Sequence, residues 1–135
     1  MIETGWVYVI TNKSMPGLVK VGVTSNRPEQ RAKELDGTGS PTPCKVEIAF
    51  LFSEAAEQVE KQAHTLLEDV RFTKTREWFE ASPKDAALKI LDASFHVGSK
   101  ISKIEPKLST PEEMADLEKQ IQRWEGFSEN IILGN

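Results

Sequence analysis

Apolar and polar positions alternate, cluster and pause along this chain in a pattern that predicts most of its elements. Val7, Tyr8, Val9 and Ile10 form a β-branched and aromatic run, and residues 18–23 form a second. Between them NKSMPG supplies the Asn, Ser, Pro and Gly that favour a reversal, so the pair reads as a hairpin. SNRPEQRAKELD reads as a short helix, with Asn26 or Arg27 as cap, Pro28 in the first turn and Glu29 favourable to the helix dipole. The loop GTGSPTP leads to CKVEIAFLF, where Val46, Ile48, Phe50 and Phe52 alternate onto one face of a third strand. Ser53 is expected to cap a second helix running to about Val70, with Ala56, Val59, Ala63, Leu66, Leu67 and Val70 at helical spacing. EWFEA reads as a short strand or turn, and Ser82, Pro83 and Asp85 open a third helix.

From about His96 to Ser109 the periodicity fades, and the segment reads as a connector. Thr110, Pro111, Glu112 and Glu113 then make a capping-box start for a last helix, with Met114, Leu117, Ile121 and Trp124 on one face and the apolar tail NIILGN behind it. A lone helix of about 15 residues is marginal in water, so this stripe needs a surface. It either folds back on its own chain or joins two chains, and a self-complementary stripe suits a homodimer through residues 111–133. The order β-β-α-β-α-(β)-α predicts an α+β fold, a small sandwich with a central three-stranded antiparallel sheet flanked by helices. That domain is placed at residues 1–94, with the connector and appended C-terminal helix at 95–135.

Composition narrows the class. At 135 residues, with 39% hydrophobic and 28% charged side chains, the chain has the make-up of one soluble globular domain. No apolar run approaches the roughly 18 residues of a membrane span, and the start MIETGW lacks signal-peptide features. A lone Cys44 and two histidines argue against a disulfide or a zinc site, so a cytoplasmic protein without a membrane partner is expected. The net charge of −4 argues mildly against a nonspecific nucleic-acid coat. The first fifty residues are nevertheless close to neutral, and basic spots remain at Arg27, Arg31 and Lys33 and at Arg71, Lys74 and Arg76.

A hairpin needs neither a phenol nor a buried ammonium, so Tyr8 and Lys20 call for an explanation. Structural roles stand beside functional ones. Tyr8 alternates with Trp6 and Ile10 and fits a packed ring, Lys20 fits a solvated strand lysine, and Arg31 can pair with Glu34 or Asp36. His64, four residues from Glu60, fits a packing histidine, and Glu77 fits a surface ion pair.

The pieces GWVYVI, MPGLVKVGVT, RAKEL, TGSPTP, EKQAH and REWF, in this order from residue 5 to about 92, resemble the GIY-YIG nuclease superfamily, most closely a phage-derived branch. The resemblance implies a DNA endonuclease that hydrolyses phosphodiester bonds with Mg²⁺ or Mn²⁺. Tyr8 matches the tyrosine of the first motif, Lys20 stands where the second usually has its tyrosine, and Gly22 matches that motif's glycine. Arg31 matches the helix arginine, His64 the histidine of this branch and Glu77 the metal-binding carboxylate. Leu35 departs from members with His or Tyr there, and no asparagine matches the one some carry near the end. In such chemistry Arg31 offers a fork for phosphate oxygens. Tyr8 would handle the attacking water, with Lys20 as the cation that favours its phenolate. Arg27, Lys33, Arg71, Lys74 and Arg76 would bind the nucleic-acid backbone. The competing readings are a non-cleaving nucleic-acid-binding module of the same fold, and a partner-controlled protein docking through its C-terminal helix.

Overall fold

The computed structural model describes residues 2–36, 44–72 and 77–106, together with Glu112, Ala115, Lys119, Ile132 and Leu133. Strands β1 (Gly5–Asn12) and β2 (Leu18–Thr24) form the hairpin, followed by helix α1 (Pro28–Asp36), β3 (Cys44–Phe52) and α2 (Ala56–Leu66). Strand β4 (Trp78–Glu80), helix α3 (Pro83–Val97), β5 (Ile101–Pro106) and β6 (Ile132–Leu133) complete the order. The strands lie side by side as β4-β2-β1-β3-β5-β6. The first five are antiparallel, and β6 adds to β5 in parallel. The α+β class holds, but the expected three-stranded sheet is too small, because β4 and β5 extend it on both sides.

Two bulges explain what alternation alone got wrong. On the β1–β3 pair the register steps from Val9 opposite Ile48 to Ile10 opposite Val46, leaving Glu47 as the extra residue. Val46 therefore packs with Trp6, Tyr8 and Ile10, on the face opposite Ile48, Phe50 and Phe52. On β3–β5, Phe52 faces Ile101 and Leu51 faces Lys103, so Ser102 is extra. This bulge brings Ile101 and Ile104, three residues apart, into one core with Phe50 and Phe52. A spacing of three hides a strand from any search for period two. What read as a connector from His96 onward is the end of α3 followed by β5.

One face of the sheet, with Val7, Val9, Val19, Val21, Ile48, Phe50, Phe52 and Phe79, packs with Ala56, Val59 and Ala63 of α2 and Ile90 and Leu91 of α3. The opposite face carries Trp6, Tyr8, Ile10, Val46 and Ala49, covered by Ala32 and Leu35 of α1. Ser82 caps α3 as expected, its hydroxyl accepting from the Asp85 amide at 3.0 Å. The second helix departs from expectation. It starts after Ala55, which takes a left-handed conformation (φ 58°), not after Ser53. Its first amides are met instead by the start of the chain: Ala56 N–H donates to Glu3 O at 2.9 Å and Glu57 N–H to Ile2 O at 3.0 Å. It ends at Leu66 and passes into a 3₁₀ turn at Glu68–Val70.

Among the described residues no helix is long and apolar enough to cross a membrane. Glu112, Ala115 and Lys119 are helical, and Ile132 and Leu133 of the apolar tail pair with Lys103 and Ile104. The stripe Met114, Leu117, Ile121 and Trp124 lies outside the described residues, as does the loop at 37–43. Burying Ile104 in full makes β5 part of the core. Replacing Ile104 with Ala is expected to cost about 2–5 kcal/mol in a urea titration. A loss under about 0.5 kcal/mol, the range of surface substitutions, would show that β5 is an ornament on the sheet.

Candidate active site

The pairing of β1 with β2 sets Tyr8 directly opposite Gly22. The phenol ring lies across that glycine: a methyl group there would stand 2.6 Å from Tyr8 Cζ and closer still to its hydroxyl. Gly22 is thus the floor on which the ring rests, a close approach only glycine allows. Tyr8 is 2% exposed. Its hydroxyl accepts a hydrogen bond from the Arg31 guanidinium, presented by α1. Burial raises the phenol above its ordinary pKa, and the adjoining guanidinium offsets part of that rise. Tyr8 is therefore a neutral phenol at neutral pH. The expected cation for this phenol was Lys20, and the structure corrects that pairing to Arg31.

Lys20 lies opposite Ile10 on one side and Trp78 on the other, and is itself buried. Its ammonium is taken by Glu77, whose Oε2 accepts from Nζ. Glu77 is held by its backbone, since its carbonyl accepts from the Val21 amide at 3.1 Å. Its side chain remains 40% exposed. The carboxylate thus emerges at the start of β4 with one oxygen on a buried lysine.

A residue the sequence did not single out joins these. Glu60 is buried on α2, and its carboxyl is pushed up to about 7, chiefly by burial and then by the charges of Glu77 and Glu57. Its field also reaches Tyr8, so Glu60, Glu77 and the phenol share one electrostatic site. No sequence signal marked it, because one glutamate among the polar positions of an amphipathic helix looks solvated. One turn later, His64 donates from Nε2 to the Val21 carbonyl at 2.7 Å and sets its ring against Phe79 at 5.2 Å. Burial lowers its pKa, so it stays neutral and serves as a tie between α2 and β2.

The remaining sequence-proposed cations are dispersed. Arg27 is exposed yet paired with Glu105 at 3.2 Å and Glu29 at 3.6 Å, and Lys33 is exposed on α1. Arg31 also meets Glu34 at 3.1 Å. Arg71 lies over the Phe79 ring at 5.0 Å and pairs with Glu68 at 2.9 Å. Lys74 and Arg76 lie outside the described residues. Among the described residues no group of three or more His, Cys, Asp or Glu side chains could hold a metal ion. Glu77 and Glu60 are oxygen donors suited to a hard cation that keeps most of its water, as Mg²⁺ does. Burial is the first cause of the raised Glu60 pKa and the charges of Glu77 and Glu57 come next, so a cation bound beside Glu60 would favour its ionised form.

The Glu60 shift sets a pH signature. A carboxyl at about 7 in the fold and near 4.5 unfolded favours the folded state while protonated, so stability declines as pH rises through that window and levels off above it. Glu60→Gln, measured in EDTA, is expected to stabilise the protein by on the order of 2–3 kcal/mol above that window and by little below it. A variant equally stabilised or destabilised at every pH would show that Glu60 does not carry this charge.

Neither the curated proteins nor the solved structures contain a match to the chain. Residues 5–93 match the T5orf172 domain, a stretch from the first strand to within α3 that holds Tyr8, Lys20, Arg31, Glu60, His64 and Glu77. The chain belongs to the T5orf172 domain family, phage-associated and nuclease-like in class.

Proposed function

We propose that this protein is a divalent-metal-dependent endonuclease of the GIY-YIG type that hydrolyses phosphodiester bonds in DNA. The observation that carries the reading is that Tyr8 on β1 meets the Arg31 guanidinium of α1 while the charges of Glu77, ahead of β4, and Glu60 of α2 both act on the phenol. Core packing alone has no use for a buried carboxyl beside a second one. Glu77 and Glu60 would hold the ion. Mg²⁺ or Mn²⁺, when bound, would supply positive charge that offsets the carboxylates and the growing charge on the phosphate. Arg31, fixed against Tyr8, presents its remaining N–H groups to phosphate oxygens. The Tyr8 hydroxyl orients the attacking water. Lys20 holds Glu77 in place, and His64 locks α2 so that Glu60 faces the site. Arg27, Lys33, Arg71, Lys74 and Arg76 remain the backbone contacts of this reading.

One observation favours a second reading, a nucleic-acid-binding module that does not cut. The Lys20–Glu77 pair is already internally neutral, as a structural pair would be.

Incubation of labelled single- and double-stranded DNA with Mg²⁺, Mn²⁺ or EDTA separates the two. Cleavage is expected with metal only, falling on the order of 10³-fold in Glu77→Ala and in Tyr8→Phe with folding intact. Binding of DNA by the wild type without cleavage under any metal would establish the module. Arg31→Lys tests the fork. It is expected to lower cleavage at least about tenfold with the melting temperature nearly unchanged, because an ammonium keeps the charge but loses the two-point grip. Unaltered cleavage with a large drop in melting temperature would make Arg31 a structural ion-pair residue.

A further inference from the structure

Helix α1, which carries Arg31, is weakly held by its own sequence. Of PEQRAKELD only Ala32 and Leu35 pack into the apolar cluster beneath it. A helix of this length has little stability of its own and takes its position from what it is fastened to. One such fastening comes from outside the segment that matches the family. On β5, Glu105 stands opposite Ala49, Ala49 opposite Tyr8, and Tyr8 opposite Gly22, so the four form one row across the sheet. From the far end of that row Glu105 reaches Arg27, immediately ahead of α1, and accepts from its guanidinium at 3.2 Å. Lys103 adds a second cation at 3.8 Å. Glu105 is 7% exposed, and its second oxygen, Oε2, is buried with no hydrogen-bond partner among the described residues. The Arg27 side chain is itself 67% exposed, but the carboxylate is not, so loss of Arg27 would leave a buried charge with Lys103 alone at 3.8 Å, and this ties Arg27 to the sheet more firmly than a pair exposed on both sides.

We propose that Glu105 is a positioning residue: through Arg27 it fixes the start of α1 and so holds Arg31, one turn further on, against the Tyr8 hydroxyl. Arg27 then serves as an anchor before it serves as a contact for DNA. The ends of the Gly22–Tyr8–Ala49–Glu105 row act as a frame, with the glycine letting the ring lie flat and the glutamate holding the helix that meets its hydroxyl. The segment beyond the family match thereby completes the site. The inference rests on the nuclease reading only for its effect on cleavage, since the contact it controls is observable without any substrate.

The test exploits Tyr8 being the sole tyrosine of the chain. A ring-labelled tyrosine gives one nuclear magnetic resonance signal, which reports the hydrogen bond at its hydroxyl at neutral pH. Arg31→Ala defines the signal of a phenol without its guanidinium. Arg27→Ala, which removes an exposed side chain and leaves no cavity, and Glu105→Ala, which removes the buried charge itself, are each expected to move the signal most of the way to that value. Glu105→Gln, which keeps an acceptor for Arg27, should stay nearer the wild type. In cleavage assays Arg27→Ala and Glu105→Ala should lower kcat by roughly tenfold with KM changed less, and each should add little to Arg31→Ala, as expected of residues that act as one unit. A tyrosine signal unmoved in both Arg27→Ala and Glu105→Ala, with Arg31→Ala displaced, would overturn the proposal. So would a signal that Arg31→Ala itself leaves in place. A signal that moves as described in a protein that cuts no DNA would uphold the positioning role and remove the nuclease reading instead.

Discussion

The register that puts Tyr8 against Gly22 governs the rest of the site. A phenol ring can lie flat across a neighbouring strand only where that strand has no side chain, and this strand has none at one position. Once the ring is down, its hydroxyl is carried toward α1, where Arg31 meets it. Burial then keeps the phenol protonated, while the guanidinium limits how far its pKa rises. A slip of one residue would turn Tyr8 to the other face and set Val7 or Val9 over α1. The helical faces, the carboxylates and the tethers all take their positions from that single pairing.

The charges around the site follow a common rule. Lys20 is taken by Glu77, Arg31 by Glu34 and Tyr8, Arg27 by Glu105, and Arg71 by Glu68. Among the described residues, these four cations each already stand beside a carboxylate. A polyanion must therefore compete with built-in partners, and the gain per contact is smaller than for an open basic patch. That fits a chain whose formal net charge is −4.

Much of this was legible in the sequence. The hairpin, the three main helices, the Ser82 cap and the short strand at Trp78 follow from period, turn chemistry and capping, all local signals. Tyr8, Lys20, Arg31, His64 and Glu77 stood out as residues a bare hairpin or helix does not need, and the structure sets Arg31 against Tyr8, Glu77 on Lys20 and His64 on the Val21 carbonyl. What escaped depends on distant residues. Val46 changes face because β1 and β3 fall out of step at Glu47, and β5 hides because a bulge converts its spacing from two to three. Glu60 is polar at a position that looks solvated and becomes buried only when α2 packs against β1 and β2. The partner of the phenol was misassigned because strand proximity favoured Lys20, whereas a helix delivered Arg31.

The order of strands also dictates how the molecule comes into being. The centre of the sheet is β1, the first strand made, and its neighbours β2 and β3 are the next two to emerge. Each pairing closes a modest loop, so the central hairpin and the third strand have low contact order and suit folding during synthesis. The outer strands arrive later, and the outer edge of β5 waits for Ile132 and Leu133, made long after the core. Until then a nascent chain carries an assembled Tyr8–Gly22 floor beside an unpaired strand edge. Such an edge invites pairing with other chains. The edge of β5 at Lys103 and Ile104 is therefore the last part of the sheet to be covered, after the strands that carry the site have paired.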